Sequence, residues 1–201
     1  TVDFNFIFDH VPELNRLNIE IDNVSIINPV DSSDMDINHW RELANIVFEN
    51  YNKYDGFLIL HGTDTMAYTA SALSFMFKGL KKPVILTGAQ LPIGVIRTDG
   101  KNNLISALEV VAAKNKNGKP MIQEVAVFFD DELYRGNRST KDSATLFEAF
   151  RSPNYTPLAV AGVELRYNES RFYNDDEKEF SIQQELNNRV TLVKLFPGIK
   201  F

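Results

Sequence analysis

The chain sets a hydroxyl and a carboxylate side by side at the end of an apolar run. In Gly56-Phe57-Leu58-Ile59-Leu60-His61-Gly62-Thr63-Asp64-Thr65-Met66 the hydrophobic stretch breaks at a glycine and delivers Thr63 and Asp64. A threonine hydroxyl is a weak nucleophile until a base takes its proton. Downstream, Lys141 in Arg138-Ser139-Thr140-Lys141-Asp142 is the best candidate for that base. A lysine drawn into a partly desolvated pocket loses proton affinity and can accept a proton from a hydroxyl or a water, with Asp64 to orient it. By residue type alone, Thr or Asp ahead of Met66 is more often a helix cap, and Lys141 one more surface lysine. Gly62 tilts the balance, because it admits close backbone approach to a ligand. A helix N-terminus behind it favours a bound carboxylate or a developing oxyanion. A third element, Asp31-Ser32-Ser33-Asp34-Met35, reads either as a turn and cap or as a binding loop whose hydroxyls and N–H groups grip a small carboxylate.

Alternating strand-like and helix-like segments must carry these residues. Ile19 to Asp22 and Val24 to Asn28 read as short strands, and Asp36 as the cap of a helix whose apolar face is Ile37, Trp40, Leu43, Ala44, Val47, Phe48 and Tyr51. Phe57 to Leu60 is a buried strand, and Met66 to Leu80 a deeply buried helix closed near Gly79. Pro83 to Thr87 is a second buried strand, followed by a helix from about Asp99 to Ala113 and a turn over Lys114 to Lys119. Glu124 to Phe129 is a strand, Ala144 to Phe150 a short helix, Leu158 to Leu165 mostly extended, Asn174 to Glu179 an acidic loop and Arg189 to Phe196 a last strand. Phe4 to Phe8 fits strand or helix. The loop after Gly136 is expected at a strand end on the same side of the sheet as Thr63. This order predicts an α/β fold: an open, mostly parallel sheet with helices on both faces, whose ligands bind at the carboxyl ends of the strands.

Composition removes several classes of function. A net charge of -6 argues against a nucleic-acid partner, which needs clustered Lys and Arg. With no cysteine there is no disulfide framework, thiolate catalysis or sulfur-ligated metal. His10, His39 and His61 lack metal-ligand spacing, so no metal is expected, and His61 reads as a buried, hydrogen-bonded ring. Neither a phosphate loop, a dinucleotide fingerprint nor a Gly-x-Ser-x-Gly elbow occurs, so no nicotinamide cofactor is expected. The apolar runs fall short of the roughly 20 residues that span a bilayer. The expectation is a soluble, intracellular chain with no membrane partner.

The segments His61-Gly62-Thr63-Asp64-Thr65-Met66, Asp31-Ser32-Ser33-Asp34-Met35, Thr87-Gly88-Ala89-Gln90-Leu91-Pro92, Arg97-Thr98-Asp99-Gly100 and Tyr134-Arg135-Gly136-Asn137-Arg138-Ser139-Thr140-Lys141 together resemble bacterial-type L-asparaginases, cytoplasmic type I branch. The resemblance implies an asparaginase large-domain fold and hydrolysis of L-asparagine to L-aspartate and ammonia without a cofactor, by a homodimer or homotetramer. It implies a catalytic group of Thr63, Asp64 and Lys141, with Asp64 also meeting the substrate α-ammonium. Asp31, Ser32 and Ser33 would hold the α-carboxylate, Gly62, Ala89 and Gln90 would line the substrate pocket, and Thr140 falls at a contact of an allosteric site.

The resembled family also carries a Thr-Gly-Gly-Thr-Ile-like strand end with the principal nucleophilic threonine, a mobile loop with a tyrosine, and a smaller C-terminal domain; the first two motifs do not occur here. The expectation is therefore an incomplete large domain over 1–194, with 195–201 starting a linker, catalytically impaired by itself and with an exposed sheet edge. Alternatives are a noncatalytic amino-acid-binding or oligomerisation module, and an asparaginase-like subunit of a tRNA-dependent amidotransferase.

Overall fold

The computed structural model describes residues 4–26, 30–173 and 179–199. In chain order its elements are α1 (Phe4–His10), α2 (Ile37–Asn50), β1 (Phe57–Leu60), α3 (Met66–Met76), β2 (Phe77–Lys78), β3 (Val84–Thr87), α4 (Gly100–Ala112), β4 (Val125–Phe129) and β5 (Glu132–Arg135). The short strands β6 (Thr140–Lys141), β7 (Phe150–Arg151), β8 (Ala159–Ala161), β9 (Leu165–Tyr167) and β10 (Ser181–Ile182) follow.

Among the described residues the central sheet is open and six-stranded, in the order β1-β3-β4-β5-β8-β9. Its β1, β3 and β4 are parallel, and β5, β8 and β9 extend it antiparallel. Every residue of β3 and β4 is buried, which explains their unbroken apolar sequences: a strand covered on both faces cannot alternate polar and apolar residues. Successive side chains point to opposite faces. Val84, Leu86, Val125, Val127 and Phe129 therefore meet α2 and α3 on one side. Ile85, Ala126 and Phe128 meet Ala107 and Val110 of α4 on the other. Helices thus cover both faces, as the alternation of elements predicted.

Several local expectations give way to specific contacts. Residues 19–26 form no strand; Ile19 and Ile21 pack instead beside Leu58, Leu104 and Leu108, while Ile27 and Asn28 lie outside the described residues. The helix expected over Met66 to Leu80 stops at Met76, because β2 pairs antiparallel with β10, and Gly79 then turns at φ +64°. Its burial is one-sided, with Tyr68 and Phe75 exposed. The helix expected over Ala144 to Phe150 is absent. Ser143 Oγ accepts the N–H groups of Thr145 and Leu146 at 3.1 and 3.0 Å, a local turn that competes with the helix. Phe150 pairs in β7. Arg189 to Phe196 joins no ladder, and Val190 and Leu192 are exposed. Of the acidic stretch, 174–178 lies outside the described residues. Phe4 to Phe8 belongs to α1, and Asp36 caps α2 in a reciprocal arrangement with His39.

The β4–β5 hairpin carries no Asn-Gly or Asp-Gly signal in its sequence. Asp130 and Asp131 take φ of +48° and +64°, the left-handed region that aspartate tolerates better than most residues, and this pair turns the chain back.

Candidate active site

Thr63 and Asp64 follow β1, and Ala89 and Gln90 follow β3, so both pairs sit at the carboxyl ends of neighbouring parallel strands. The two ends approach closely: a Cβ on Gly88 would lie 2.2 Å from the His61 carbonyl oxygen, so only glycine fits there. Lys141 arrives by another route than expected. Because β5 is antiparallel to β4, Arg135 pairs with Ala126 and Gly136 begins at the opposite, amino end of the parallel strands. The chain then returns along α3. A Cβ on Gly136 would stand 2.7 Å from Ser74 Oγ and 3.0 Å from the carbonyl oxygens of Ala70 and Val125, a closeness that keeps the returning segment against the helix. Thr140 pairs with Arg151 across the β6–β7 ribbon, and Lys141 with Phe150.

Lys141 Nζ donates to Thr63 Oγ1 at 2.8 Å and to Asp64 Oδ1 at 2.6 Å. Its side chain is 16% exposed, whereas that of Asp64 is 63% exposed. The amine is thus sheltered while the carboxylate stays open to solvent and to a ligand. Thr63 Oγ1 donates in turn to Gln90 Oε1 at 3.0 Å. The arrangement joins a hydroxyl, an amine, a carboxylate and an amide, the groups needed to move a proton to and from an attacking oxygen.

The loop 31–34 packs directly against this centre. Ser32 is buried, its side chain so near Gly62 that a Cβ there would meet Ser32 Oγ at 2.6 Å, and its carbonyl accepts the Thr65 hydroxyl at 2.5 Å. Asp31 Oδ1 accepts both the N–H and the hydroxyl of Ser33 at 2.9 and 2.7 Å. Those bonds hold its carboxyl below its ordinary range. Asp31 Oδ1 is therefore occupied in shaping the loop, and both donors of Ser33 are turned to it.

His61 is a scaffold group. Its Nδ1–H donates to the Gly62 carbonyl at 2.7 Å, and Nε2 accepts the Thr69 hydroxyl at 2.9 Å. Trp40 Nε1–H donates to that same hydroxyl at 3.0 Å. Burial pushes the imidazole below its ordinary value, which keeps it neutral and suited to this chain of donors. Sequence reasoning missed this relay, the carbonyls of Ser143 and Leu146 around Gln90, and the carboxylate of Asp99 behind it. In the sequence Asp99 stands at the start of a helix and within the segment Arg97-Thr98-Asp99-Gly100 that carries the resemblance, with no role assigned to it. Among the described residues no cluster of acids and histidines is suited to a metal ion, and no helix is long and apolar enough to cross a membrane.

Fold and site define an open α/β domain that presents a hydroxyl, an amine and a carboxylate at the carboxyl ends of parallel strands. The family model described as "Asparaginase, N-terminal" matches residues 1–173, and the chain belongs to this asparaginase family. It is 44% identical over 190 residues to L-asparaginase 1 of Escherichia coli strain K12, covering 94% of this chain and 54% of that protein. It is 45% identical over 170 residues to the 60 kDa lysophospholipase of Homo sapiens, covering 84% of this chain and 29% of that one. Among solved structures, L-asparaginase I from Vibrio cholerae matches with a TM-score of 0.86 and 40% identity, over 100% of this chain and 60% of that chain. The chain thus spans little more than half the length of these two bacterial asparaginases.

Proposed function

We propose that the chain is the large domain of an amidohydrolase that converts L-asparagine and water to L-aspartate and ammonia, without a cofactor. The observation that carries this reading is the contact of Lys141 Nζ with both Thr63 Oγ1 and Asp64 Oδ1. With both bonds in place Lys141 is a donor to Thr63 and Asp64. A substrate α-ammonium arriving at exposed Asp64 competes for that carboxylate. Lys141, released, passes one proton to the water that reaches exposed Asp64, and its free amine then accepts the proton of Thr63 Oγ1 or of a water. The oxygen so activated attacks the side-chain amide carbon; a C–O bond forms, the C–N bond breaks, and the nitrogen takes the proton held by Lys141 and leaves as ammonia. Where Thr63 is the attacking group, a water then adds to the acyl carbon, the bond from that carbon to Thr63 Oγ1 breaks, and Oγ1 takes back a proton from that water; where the activated water attacks, the acid forms directly. Ser32 and Ser33 take the α-carboxylate, Ser33 by turning its hydroxyl and N–H from Asp31 to the ligand, and Gly62, Ala89 and Gln90 border the amide.

In this reading residues 1–194 are the large domain and 195–201 start a linker. The enzyme is a cytoplasmic homodimer or homotetramer, Thr140 contributes to an allosteric contact, and a second nucleophilic threonine works beside Thr63. A structural feature supports a place for that second group. The N–H groups of Phe57 and His61 bond to Pro83 and Thr87 of the β3 side. Leu58 and Leu60 therefore turn their main-chain groups to the opposite edge of β1. That edge lines a cavity of about 1010 Å³ that extends to Gly62 and Ser32. A strand added there, parallel to β1, would end beside Thr63.

The test is ammonia release from L-asparagine. The 201-residue chain alone is expected to release far less than an intact relative. Grafted to the N-terminal strand and C-terminal domain of the Escherichia coli relative, it is expected to turn over, and Thr63→Ala is expected to abolish this. Turnover of the graft that survives Thr63→Ala would sink the assignment. A graft that binds L-aspartate without turnover would favour the noncatalytic binding module, and one active only with charged tRNA the amidotransferase subunit.

A further inference from the structure

Asp99 does something other than its position suggests. It stands immediately before α4, where an aspartate ordinarily accepts the first free N–H groups of its helix. Its side chain makes no such bond, and Thr98 Oγ1 accepts the Gly100 N–H at 3.0 Å instead. The Asp99 carboxylate is turned onto the loop that follows β3. Oδ1 and Oδ2 accept the Gln90 N–H at 3.0 and 2.9 Å, and Oδ1 accepts the Leu91 N–H at 3.0 Å. Thr98 donates its hydroxyl to the Leu91 carbonyl at 2.8 Å, so the two residues clamp both polarities of the same short segment. From the next turn of α4, buried Asn103 donates to Asp99 Oδ2 at 3.2 Å and to the Gly88 carbonyl at 3.0 Å, and accepts the Asp130 N–H at 3.1 Å.

The clamp has a consequence at Thr63. Gln90 Nε2 donates to the Leu146 carbonyl at 2.9 Å and points to that of Ser143 at 3.5 Å. Carbonyls only accept, so these contacts fix which end of the amide faces them. Oε1 is left facing Thr63, and since it too only accepts, the Thr63 hydroxyl hydrogen is directed to Gln90. In this resting arrangement Lys141 reaches Thr63 as a donor, and once it has lost its proton it takes the Thr63 hydrogen as that hydrogen turns from Gln90. Gln90 thus decides the direction of the Thr63 proton, and Asp99 decides where Gln90 stands.

We propose that Asp99 is a positioning residue of the Thr63 and Lys141 pair, acting through the main chain of Gln90 and Leu91 and the side-chain amide of Gln90. The proposal deepens the amidohydrolase reading, and its test needs no turnover. The experiment is nuclear magnetic resonance on the 201-residue chain with labelled glutamine side-chain nitrogens and threonine methyl groups. Gln90→Leu identifies the Gln90 side-chain NH₂ signals by their loss and sets the Thr63 methyl position when its acceptor is gone.

In Asp99→Ala, the Gln90 NH₂ protons are expected to exchange with water roughly tenfold faster or more, as local opening of their hydrogen bonds would permit. The Thr63 methyl signal is expected to move toward its Gln90→Leu position, while the later turns of α4 keep their protection. Asp99→Asn keeps one oxygen for the two N–H groups but sets an NH₂ against Asn103, so it is expected to fall between wild type and alanine. It is the variant read if Asp99→Ala does not fold. Adding Asp99→Ala to Gln90→Leu is expected to leave the Thr63 methyl where Gln90→Leu alone put it. Gln90 NH₂ protection and a Thr63 methyl signal unchanged in both Asp99 variants would overturn the proposal. Ammonia release that fails while these shifts appear would overturn the function and leave the positioning role standing.

Discussion

Replacing Lys141 by methionine separates what this side chain does for the site from what it does for the fold. Methionine keeps most of the aliphatic stem and removes the charge, so the packing of the sheltered side chain is largely retained. The carboxylate left behind is Asp64, which is 63% exposed and can be hydrated where it stands. The ion pair therefore contributes only on the order of 1 kcal/mol, as measured for pairs with an exposed member. For a chain of this size that corresponds to a fall of about 2–4 °C in Tm. On the proposed chemistry the same change removes the only amine within reach of Thr63 among the described residues, and loss of a general base costs roughly 10²- to 10⁴-fold in rate. The assay is urea unfolding of the chain beside ammonia release from the completed enzyme. The reasoning is refuted if Lys141→Met costs more than about 3 kcal/mol, the range of a broken buried pair. It is equally refuted if turnover in the completed enzyme stays within about tenfold of wild type, below the general-base range.

The opposite balance is expected at Glu124 and Arg135, whose side chains are 8% and 17% exposed. Arg135→Met strands a buried carboxylate, and urea denaturation is expected to register a loss of about 3–5 kcal/mol. Gly88→Ala drives a methyl group onto the main-chain oxygen of His61, an obstacle that cannot rotate away; a loss of about 1–3 kcal/mol in unfolding free energy is expected, and a neutral result would contradict the close approach of β1 and β3. His61 predicts a pH dependence. Burial holds it below its ordinary value of 6.5, so the folded chain binds fewer protons there than the unfolded one. Its contribution to stability is complete above that value and is lost as pH falls through it toward the lower folded value. Urea midpoints taken at about pH 7.5 and about pH 5.5 should differ less in His61→Gln than in wild type, and an equal difference would count against this placement of the ring.

Composition and local pattern were enough for the parts of this protein that local physics decides. The unbroken apolar runs of β3 and β4 announce strands covered on both faces, and the three-and-four spacing of α2 announces its buried side. Thr63, Asp64 and Gln90 could be read as strand-end residues because a glycine and a break in hydrophobicity mark the place where a buried strand surrenders its polar groups. Where a local preference competes with a distant partner, the sequence is mute. Nothing in Phe77 and Lys78 says that a strand from 181–182 will end their helix, and nothing in Ala144 to Phe150 outweighs the turn that Ser143 makes.

The site shows the same division. Lys141 is a plausible base from its residue type, but its path is tertiary. Two aspartates with positive φ reverse the chain after β4, and Gly136 lets it return against α3 to reach Thr63 from 78 residues away. The role of Asp99 is tertiary as well. An aspartate before a helix is read as its cap, because that bond costs no loop closure. Only the folded chain brings the Gln90 and Leu91 amides within reach and turns the carboxylate from its own helix toward the site.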